Sequence, residues 1–442
     1  MRIAFAVNGT RGDVQPAMVL ATALLARGHE VRFGVPPNLV PFAADTGLDV
    51  RPIGLDTRVQ MQSVTRARAA AGRNPIRRLR ALADVRDLGW NEIVDDTAEL
   101  MRDCDAVVVG FTTEQATAAQ AERLGIPMIS LHHAPVRPNG RVGPLPSVGT
   151  RGPAAMHRAQ WSLVNGVFTL ATRGRDARLR AQPGCSPATG SWLSRINRTP
   201  GIEIQAYDPV FAPAADRRWQ RDSRSRPRPV TGFIDLPDEL RRRIEPESAN
   251  SGGGDLRAWL QQGSPPLYIG FGSMPIRDPD TVFATALEVG RRVGRRMLIC
   301  IGWNHLSADL LAGAAADDVK VVETADHGLF ADCAAVIHHG GAGTTATALR
   351  AGVPSVICWF GSDQPFWGNE LQKLGLGVSM PFRRFDAERL EAAVHTALEP
   401  EVRSRAVAFA ATLVPGDRAV ARAVAEIESA TGGIGSHQEV AA

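Results

Sequence analysis

His338-His339-Gly340-Gly341-Ala342-Gly343-Thr344-Thr345, followed by Gly352-Val353-Pro354 and then by Asp363-Gln364, decides how this chain is read. Ahead of it, Ala335-Val336-Ile337 is a short apolar run of the kind that forms a buried parallel strand. Behind it, the stretch from Thr345 to Ala351 reads as a helix that stops at Gly352. A glycine-rich turn between strand and helix leaves backbone N–H groups unpaired at the helix start, where they can receive phosphate. The two imidazoles stand where the strand ends, so one can reach the same anion. The same residues also suit a tight turn that needs glycine for its backbone angles, with histidines that fill space. The surrounding pattern has to decide between the two.

Moving outward, strand and helix patterns alternate. Arg2 to Val7 is a first strand, Asn8-Gly9-Thr10-Arg11-Gly12-Asp13 a turn, and Val14 to Arg27 a helix that ends at Gly28. His29 to Val35 then completes a βαβ unit, which predicts a doubly wound parallel sheet. A strand at 106–109, a helix at 113–124 and a strand at 127–131 continue it. The alternation resumes with a strand at 266–270, a helix at 279–294, strands at 296–301 and 320–322, the His338 unit and a strand at 353–359. Helices at 387–398, 401–413 and 417–429 close the chain.

With 442 residues the chain exceeds one ordinary core, and two domains of about 200 residues each are expected. The boundaries read as an N-terminal domain over 1–215, an Arg-, Ser- and Pro-rich linker over 216–229, and a C-terminal domain over 230–415. A last helix over 416–431 is expected to return to the first domain, and 432–442 to fray. Apolar content of 44% with 22% charged residues is that of a globular protein. A net charge of +4 from 50 basic and 46 acidic residues does not call for nucleic acid as a partner.

Cys104, Cys185, Cys300, Cys333 and Cys358 are scattered, without metal-ligand spacing, and fit reduced buried thiols. No apolar run approaches the ~20 residues that span a bilayer, and the expected location is cytoplasmic. The basic stretch holding Arg66, Arg68, Arg73, Arg77, Arg78 and Arg80 reads as a solvated loop and helix face. Its sharper readings are a lid or a peripheral contact with an anionic membrane inner face. Residues 137–151, rich in proline and glycine, form an irregular loop suited to substrate binding.

Gly9-Thr10-Arg11-Gly12 gives G-x-x-G and not the G-x-G-x-x-G of a dinucleotide site, which disfavours hydride transfer. Asp13 stands where the first turn becomes a helix, at the carboxyl edge of the sheet. It suits an N-cap, with Pro16 in the first turn, and it suits a base that accepts a proton late, while a C–O bond forms. Gly270-Phe271-Gly272-Ser273 ends a strand with a turn and a hydroxyl. His339 with the N–H groups of Gly343 and Thr344 can stabilise a diphosphate leaving group. No D-x-D cluster precedes this region, so no bound Mg²⁺ is implied. Asp363 and Gln364 offer acceptors and a donor for sugar hydroxyls, or another N-cap for the helix after Pro365.

On these residues the chain resembles the family 1 nucleotide-sugar glycosyltransferases. Gly12-Asp13-Val14-Gln15-Pro16, His338–Thr345 and Gly361-Ser362-Asp363-Gln364-Pro365-Phe366-Trp367-Gly368 carry the resemblance, which spans almost the whole chain. They look like the branch holding sterol glucosyltransferases and bacterial enzymes that glycosylate glycopeptides, glycolipids and polyketides. The resemblance implies the GT-B fold, an α/β architecture of two Rossmann-like doubly wound domains facing across a cleft. It implies an inverting, metal-independent enzyme without a cofactor, whose co-substrate is a nucleotide sugar such as UDP-glucose or a TDP-sugar.

Position by position, the resemblance makes Asp13 the catalytic base. It puts Arg11, Gly12, Ser273, Val322, His339, Gly341, Gly343, Thr344, Asp363 and Gln364 on the donor. It puts His132, His133 and Trp367 on the acceptor side. Sterol members carry Pro-His-Asp-Trp-Leu-Phe where this chain has Ala325 to Phe330, which moves the expectation away from a sterol. The base-stacking tryptophan of plant members falls near Val321, leaving backbone contacts to hold the base.

The expected reaction is hexose transfer to a hydroxyl of an apolar small-molecule or lipid acceptor by a monomer or weak dimer. Its rivals are a nucleotide-sugar epimerase on the same fold and a non-catalytic lipid or polyketide binder.

Overall fold

The valine- and isoleucine-rich runs pair in parallel, in two separate sheets. A computed structural model describes residues 1–70, 88–144, 152–214, 216–244, 253–307, 318–324 and 327–438. They fall into two compact α/β units, one drawn from 1–240 with 414–442, the other from 241–413.

In the first unit β1 (Arg2–Ala6), β2 (Glu30–Val35), β3 (Asp49–Pro52), β4 (Ala106–Gly110), β5 (Met128–His132) and β6 (Glu203–Gln205) lie in the order β3-β2-β1-β4-β5-β6. In the second, β7 (Leu267–Gly270), β8 (Met297–Cys300), β9 (Val319–Val322), β10 (Ala335–His338), β11 (Ser355–Trp359) and β12 (Gly377–Pro381) lie in the order β12-β11-β10-β7-β8-β9. Every pairing is parallel, for example Ile3 with Ala106 and Ile337 with Ile269. The central strands β4 and β10 are buried along their whole length, so both of their faces must be apolar. Each such valine or isoleucine contributes about 1.5–3 kcal/mol of burial.

The first helix starts at Arg11, earlier than its apolar pattern suggests, and runs to Ala26. Thr10 and Asp13 form a capping box that satisfies the orphan donors there, and Gly28 in the left-handed region (φ 86°) ends it. The edge strands β3, β6 and β12 and the 26-residue helix Ala154–Leu179 carry no clear pattern in the sequence. β3 and β12 are only partly covered and tolerate Asp and Gly, whereas β6 is buried and its Glu203 and Gln205 have internal partners.

Residues 216–229, read from composition as a linker, belong to the first unit. Asp216 caps the helix Arg217–Ser225 by accepting the N–H groups of Arg218 and Trp219, both at 3.0 Å. Trp219, Arg226 and Arg228 are buried. The segment lacks apolar periodicity because its inward face is one tryptophan and two arginines with internal partners.

The last helix runs Gly416–Gln438, through the stretch expected to fray, while 439–442 lie outside the described residues. It packs on the helix Arg11–Ala26 through buried Ala419, Ala423, Val424 and Ile427. Glu428 accepts from Arg27 Nε and Nη2 at 2.8 Å, and its Oε1 lies 2.9 Å from His29 Nε2. These pairs are solvated and screened, so the apolar face carries the contact. All five cysteines are unpaired thiols, four of them buried. Among the described residues no helix is long and apolar enough to cross a membrane. Of the basic stretch, Arg66 is exposed near the end of the helix Thr57–Ala70, while 71–80 lie outside the described residues, as do 145–151 of the Pro- and Gly-rich loop.

Truncating Ile427 to Ala should cost 2–5 kcal/mol, about the usual loss for a buried large-to-small change. A lower urea midpoint of the first unit, followed by circular dichroism, checks this.

Candidate active site

In an open parallel sheet the binding crevice lies outside the carboxyl ends of the strands, where the strand order reverses. The reversal falls between β7 and β10 in the second unit and between β1 and β4 in the first.

At the second-unit reversal, β7 ends at Gly270 and Phe271 is buried. Gly272 then adopts the left-handed region (φ 56°), followed by partly exposed Ser273. The Gly272 carbonyl accepts from Trp303 N–H at 3.2 Å. A Cβ at Gly302 would stand 2.2 Å from that same oxygen, so glycine is required there. Beside it, β10 ends at buried His338, whose Nδ1 accepts from Gly340 N–H at 3.1 Å.

His339 sits between the two turns. Its Cε1 is 3.5 Å from where a Cβ of Gly272 would stand, and its Nε2 only 2.5 Å from where one of Gly341 would. Any side chain at 341 would displace the imidazole. Its Nδ1 is buried without a hydrogen-bond partner. Burial lowers its pKa to about 4, so the ring is neutral near pH 7. Gly341 caps the helix Ala342–Arg350, whose ladder begins with Thr345 N–H to Gly341 C=O at 2.9 Å. The N–H groups of Ala342, Gly343 and Thr344 precede that ladder, and a Cβ at Gly343 would meet nothing within 4 Å. Ser273, His339, Gly341, Gly343 and Thr344 thus gather around one anion-receptive helix start.

Of the other assigned residues, Gln364, Trp367 and Val322 are turned onto partners in the fold, while Asp363 is partly exposed. Gln364 is buried, and its Oε1 accepts the N–H groups of Phe360 (2.8 Å) and Gly361 (3.2 Å), so it holds the loop after β11. Asp363 begins the helix Gln364–Lys373, yet its carboxylate does not cap it: Oδ2 accepts from Trp367 Nε1 at 3.0 Å. Burial raises the Asp363 pKa, and the indole hydrogen bond opposes that. Trp367 is fully buried, so it supports Asp363 and cannot line an acceptor site. Val322 is also core: its side chain joins Tyr268, Leu298 and Phe330, and its carbonyl accepts from Ile301 N–H at 3.0 Å. Ser362, which composition does not single out, is held in the left-handed region (φ 58°) beside Asp363. That conformation costs a non-glycine residue roughly 1 kcal/mol.

At the first-unit reversal Asp13 is partly exposed and lies in the third turn position of its helix, not at the N-cap. Its Oδ2 accepts from Thr10 N–H at 2.8 Å and Thr10 Oγ1 at 3.3 Å, and occupies space that a Cβ of Gly9 would need (2.3 Å). Gly12 is exposed beside it. The Arg11 guanidinium lies 4.7 Å over the Phe42 ring and donates to Gln15 Oε1 at 3.0 Å, which turns it along the first unit's own surface. Both Arg11 and Gly12 belong to the first unit, whereas the residues gathered around His339 belong to the second.

His132 does not line an acceptor site, because it is buried in a charged network. Its Nε2 is 2.7 Å from Glu114 Oε1, and Gln205 Nε2 donates to its Nδ1 at 3.3 Å. Arg137 bridges the carboxylates, donating to Glu114 Oε1 and Glu203 Oε1 at 2.7 Å each, while Arg228 donates to Glu203 Oε2 at 2.6 Å. Burial, the largest single effect, disfavours these carboxylates as anions, but the charges of Arg137 and His132, with hydrogen bonds on Glu114 and the Arg228 charge on Glu203, together outweigh it: Glu114 lies far below the usual range and Glu203 falls to about 2. His133 is partly exposed, and burial followed by the His132 charge lowers it to about 4. Glu114, Arg137, Glu203 and Arg228 escaped the sequence reading, since nothing local marks four residues so far apart as partners. Among the described residues no three His, Cys, Asp or Glu side chains gather as a metal-binding group.

Arg137→Met should destabilise the protein by about 3–5 kcal/mol, because it removes the charge that two buried carboxylates share. Both carboxylates have depressed folded pKa values, so their stabilisation is present above about pH 4.5 and lost as pH falls toward 2. Urea midpoints at pH 7 and pH 4 should show a shallower acid loss in the variant than in the native chain.

Two family models match the chain. Residues 3–129 match the glycosyltransferase family 28 N-terminal domain, and residues 299–427 the erythromycin biosynthesis protein CIII-like C-terminal domain. Among relatives, the uncharacterised protein Mb1553c of Mycobacterium bovis is 34% identical, over 92% of this chain and 91% of its own. Glycosyltransferase GtfE of Amycolatopsis orientalis is 33% identical, over 95% and 96%. The vancomycin aglycone glucosyltransferase of the same organism is 32% identical, also over 95% and 96%. Among solved structures, the glycotransferase of kitacinnamycin aligns with a TM-score of 0.70 at 18% identity, covering 97% of this chain and 99% of that one. The glycosyltransferase VinC in complex with dTDP aligns with 0.60 at 19%, covering 98% and 100%.

Proposed function

From the premise that the chain belongs to the family 1 glycosyltransferases of GT-B fold, and is a glycosyltransferase, we propose an inverting transfer of a hexose from a nucleoside-diphosphate sugar to a hydroxyl of an apolar acceptor. The observation that carries it is His339, lodged between the Gly272 turn and the first N–H groups of the helix Ala342–Arg350, with Nδ1 unpartnered. A neutral imidazole there can donate one hydrogen bond to a diphosphate oxygen while the helix start supplies N–H donors and positive partial charge. The relative named for glucosyl transfer supports glucose, and the solved neighbour bound to dTDP supports a thymidine diphosphate leaving group.

In this reading the acceptor oxygen attacks the anomeric carbon from the face opposite the diphosphate. As the new C–O bond forms, the bond to the phosphate oxygen breaks and its electron pair leaves with the diphosphate. Asp13 takes the hydroxyl proton. A carboxylate is far too weak a base to ionise an alcohol beforehand, so proton transfer follows C–O bond formation. The bond from Thr10 N–H holds one carboxylate oxygen and orients the other. Ser273, Gly343 and Thr344 complete the diphosphate cradle and Asp363 receives sugar hydroxyls; no metal or cofactor enters the scheme.

Asp13→Asn keeps an acceptor oxygen for Thr10 and should preserve TDP or UDP binding while lowering transfer about a hundredfold or more. Normal turnover by that variant would remove Asp13 as the base. Incubation with donor alone is the control, since an epimerase would convert the sugar nucleotide without acceptor. His339→Ala should weaken TDP or UDP binding about tenfold, the value of one hydrogen bond to a charged group, as read by calorimetry.

A further inference from the structure

Asp363 and Gln364 stand side by side just beyond the carboxyl end of β11, and the fold leaves only one of them for a ligand. Both ends of the Gln364 amide are in use: Oε1 holds the N–H groups of Phe360 and Gly361, and Nε2 lies 3.4 Å from Met274 Sδ. Turning that buried side chain outward would strand two backbone donors. Reading a sugar hydroxyl therefore falls to Asp363. Its neighbour borders the turn that carries His339, because a Cβ at Gly340 would stand 3.3 Å from the Gln364 carbonyl oxygen. β11 pairs with β10, so the two loops leave strands about 4.8 Å apart.

The Asp363 carboxylate is held in an uncommon way. An aspartate at a helix start ordinarily accepts the second or third backbone N–H of the helix. Here Pro365 has no N–H to offer, and Phe366 gives its own to the Asp363 main-chain carbonyl at 2.9 Å. The carboxylate turns instead to Trp367, four residues on and on the same helix face, whose indole N–H donates to Oδ2 at 3.0 Å. Trp367 is fully buried where this helix packs on β11 and β12, with Phe366 edge-on at 4.8 Å, so its N–H has a fixed position.

A buried indole N–H needs an acceptor, and a backbone carbonyl would serve. A carboxylate is the costlier choice, because burial raises the Asp363 pKa and only the indole, its own backbone and the Ser362 hydroxyl lower it. Among the described residues no charged side chain balances it. Glu370, further along the helix, is paired with Lys373 at 2.9 Å, and β12 has no ionisable residue. Burial keeps Cys358 of β11 and His339 beyond β10 neutral near pH 7, and Arg350 stands at the opposite end of the helix Ala342–Arg350. A sugar hydroxyl would supply the donor that this ionised group lacks.

We propose that Trp367 is the positioning residue of the sugar subsite: its indole N–H fixes one oxygen of Asp363, and this single carboxylate, without Gln364, reads a hydroxyl of the donor hexose beside the diphosphate turn. The proposal rests on the reading of the second-unit turns as the donor site. It is tested by calorimetry with TDP-glucose and TDP on the native chain, Trp367→Phe, Asp363→Asn and the double variant. Trp367→Phe should weaken TDP-glucose about tenfold at pH 8 and leave TDP unchanged. The indole favours the ionised carboxylate, so without it Asp363 takes up its proton at a higher pH. TDP-glucose affinity should therefore fall earlier in the variant than in the native chain as pH is lowered from 8 to 5. With Asp363→Asn in place, Trp367→Phe should cost less than about twofold, because the two residues act as a unit.

Equal losses of TDP and TDP-glucose affinity in Trp367→Phe, or equal losses with and without Asp363→Asn, would make the indole a packing group and overturn the proposal. Where Trp367→Phe does not fold, the Trp367 Nε1–H resonance of the native chain decides. It should move when TDP-glucose binds and stay when TDP binds, and a resonance indifferent to the sugar refutes the proposal. TDP-glucose affinity that neither substitution changes refutes this proposal and leaves the donor reading standing. A native chain that binds neither nucleotide refutes both.

Discussion

The reversal of strand order at the centre of each sheet is the constraint on which the candidate residues of each unit depend. Parallel strands deliver all their outgoing loops to one edge, and right-handed crossovers send helices to either face according to the direction of winding. Where the direction changes, two neighbouring loops diverge and leave a crevice at the helix starts. In the first unit those loops are the turn after β1 and the segment after β4; in the second they follow β7 and β10. Glycine is needed there for space as much as for angle. The imidazole of His339 fills the room that Gly341 leaves, and the carboxylate of Asp13 fills the room that Gly9 leaves.

The same edge carries the least comfortable chemistry in the molecule. Ser362 holds a left-handed backbone beside Asp363, and Asp363 is kept in place by an indole. His339 is desolvated enough to be neutral. In the first unit Glu114 and Glu203 are ionised in the interior because Arg137 spans both and Arg228 holds the second. Such pairs add little net stability over apolar packing, and losing one member is costly. What the network does is tie the ends of β5 and β6, the helix after β4 and the chain at 137 to one set of bonds.

Elements with two buried faces were legible in the sequence, because a strand such as Ala106–Gly110 has no alternative to continuous apolar residues. Elements that are partly exposed, or whose buried positions are polar, were not. β3 and β12 sit at sheet edges, only partly covered, and tolerate polar residues and glycine, while buried β6 carries Glu203 and Gln205 on internal partners. The helix Ala154–Leu179 hides its period because leucine and valine stand on its solvent face as well. The stretch 216–229 looks like a linker because arginines occupy its buried side, paired with carboxylates that composition cannot associate with them.

The candidate site divides along the same line. His339, Ser273, Gly341, Gly343, Thr344 and Asp13 were visible because strand, glycine turn and helix follow one another locally, and that succession by itself dictates where the loops go. Val322, Gln364, Trp367 and His132 have the right chemistry and the wrong orientation: each is turned inward onto partners in the fold. The sequence by itself determined the two doubly wound sheets, the turns at their carboxyl edges and the residue types standing there, since periodicity and glycine act over a few residues. Only the tertiary structure decided which side chains remain available at those edges, which arginine neutralises which carboxylate and which helix face stays bare. Those outcomes depend on contacts between segments far apart in the chain, and a linear pattern carries no record of them.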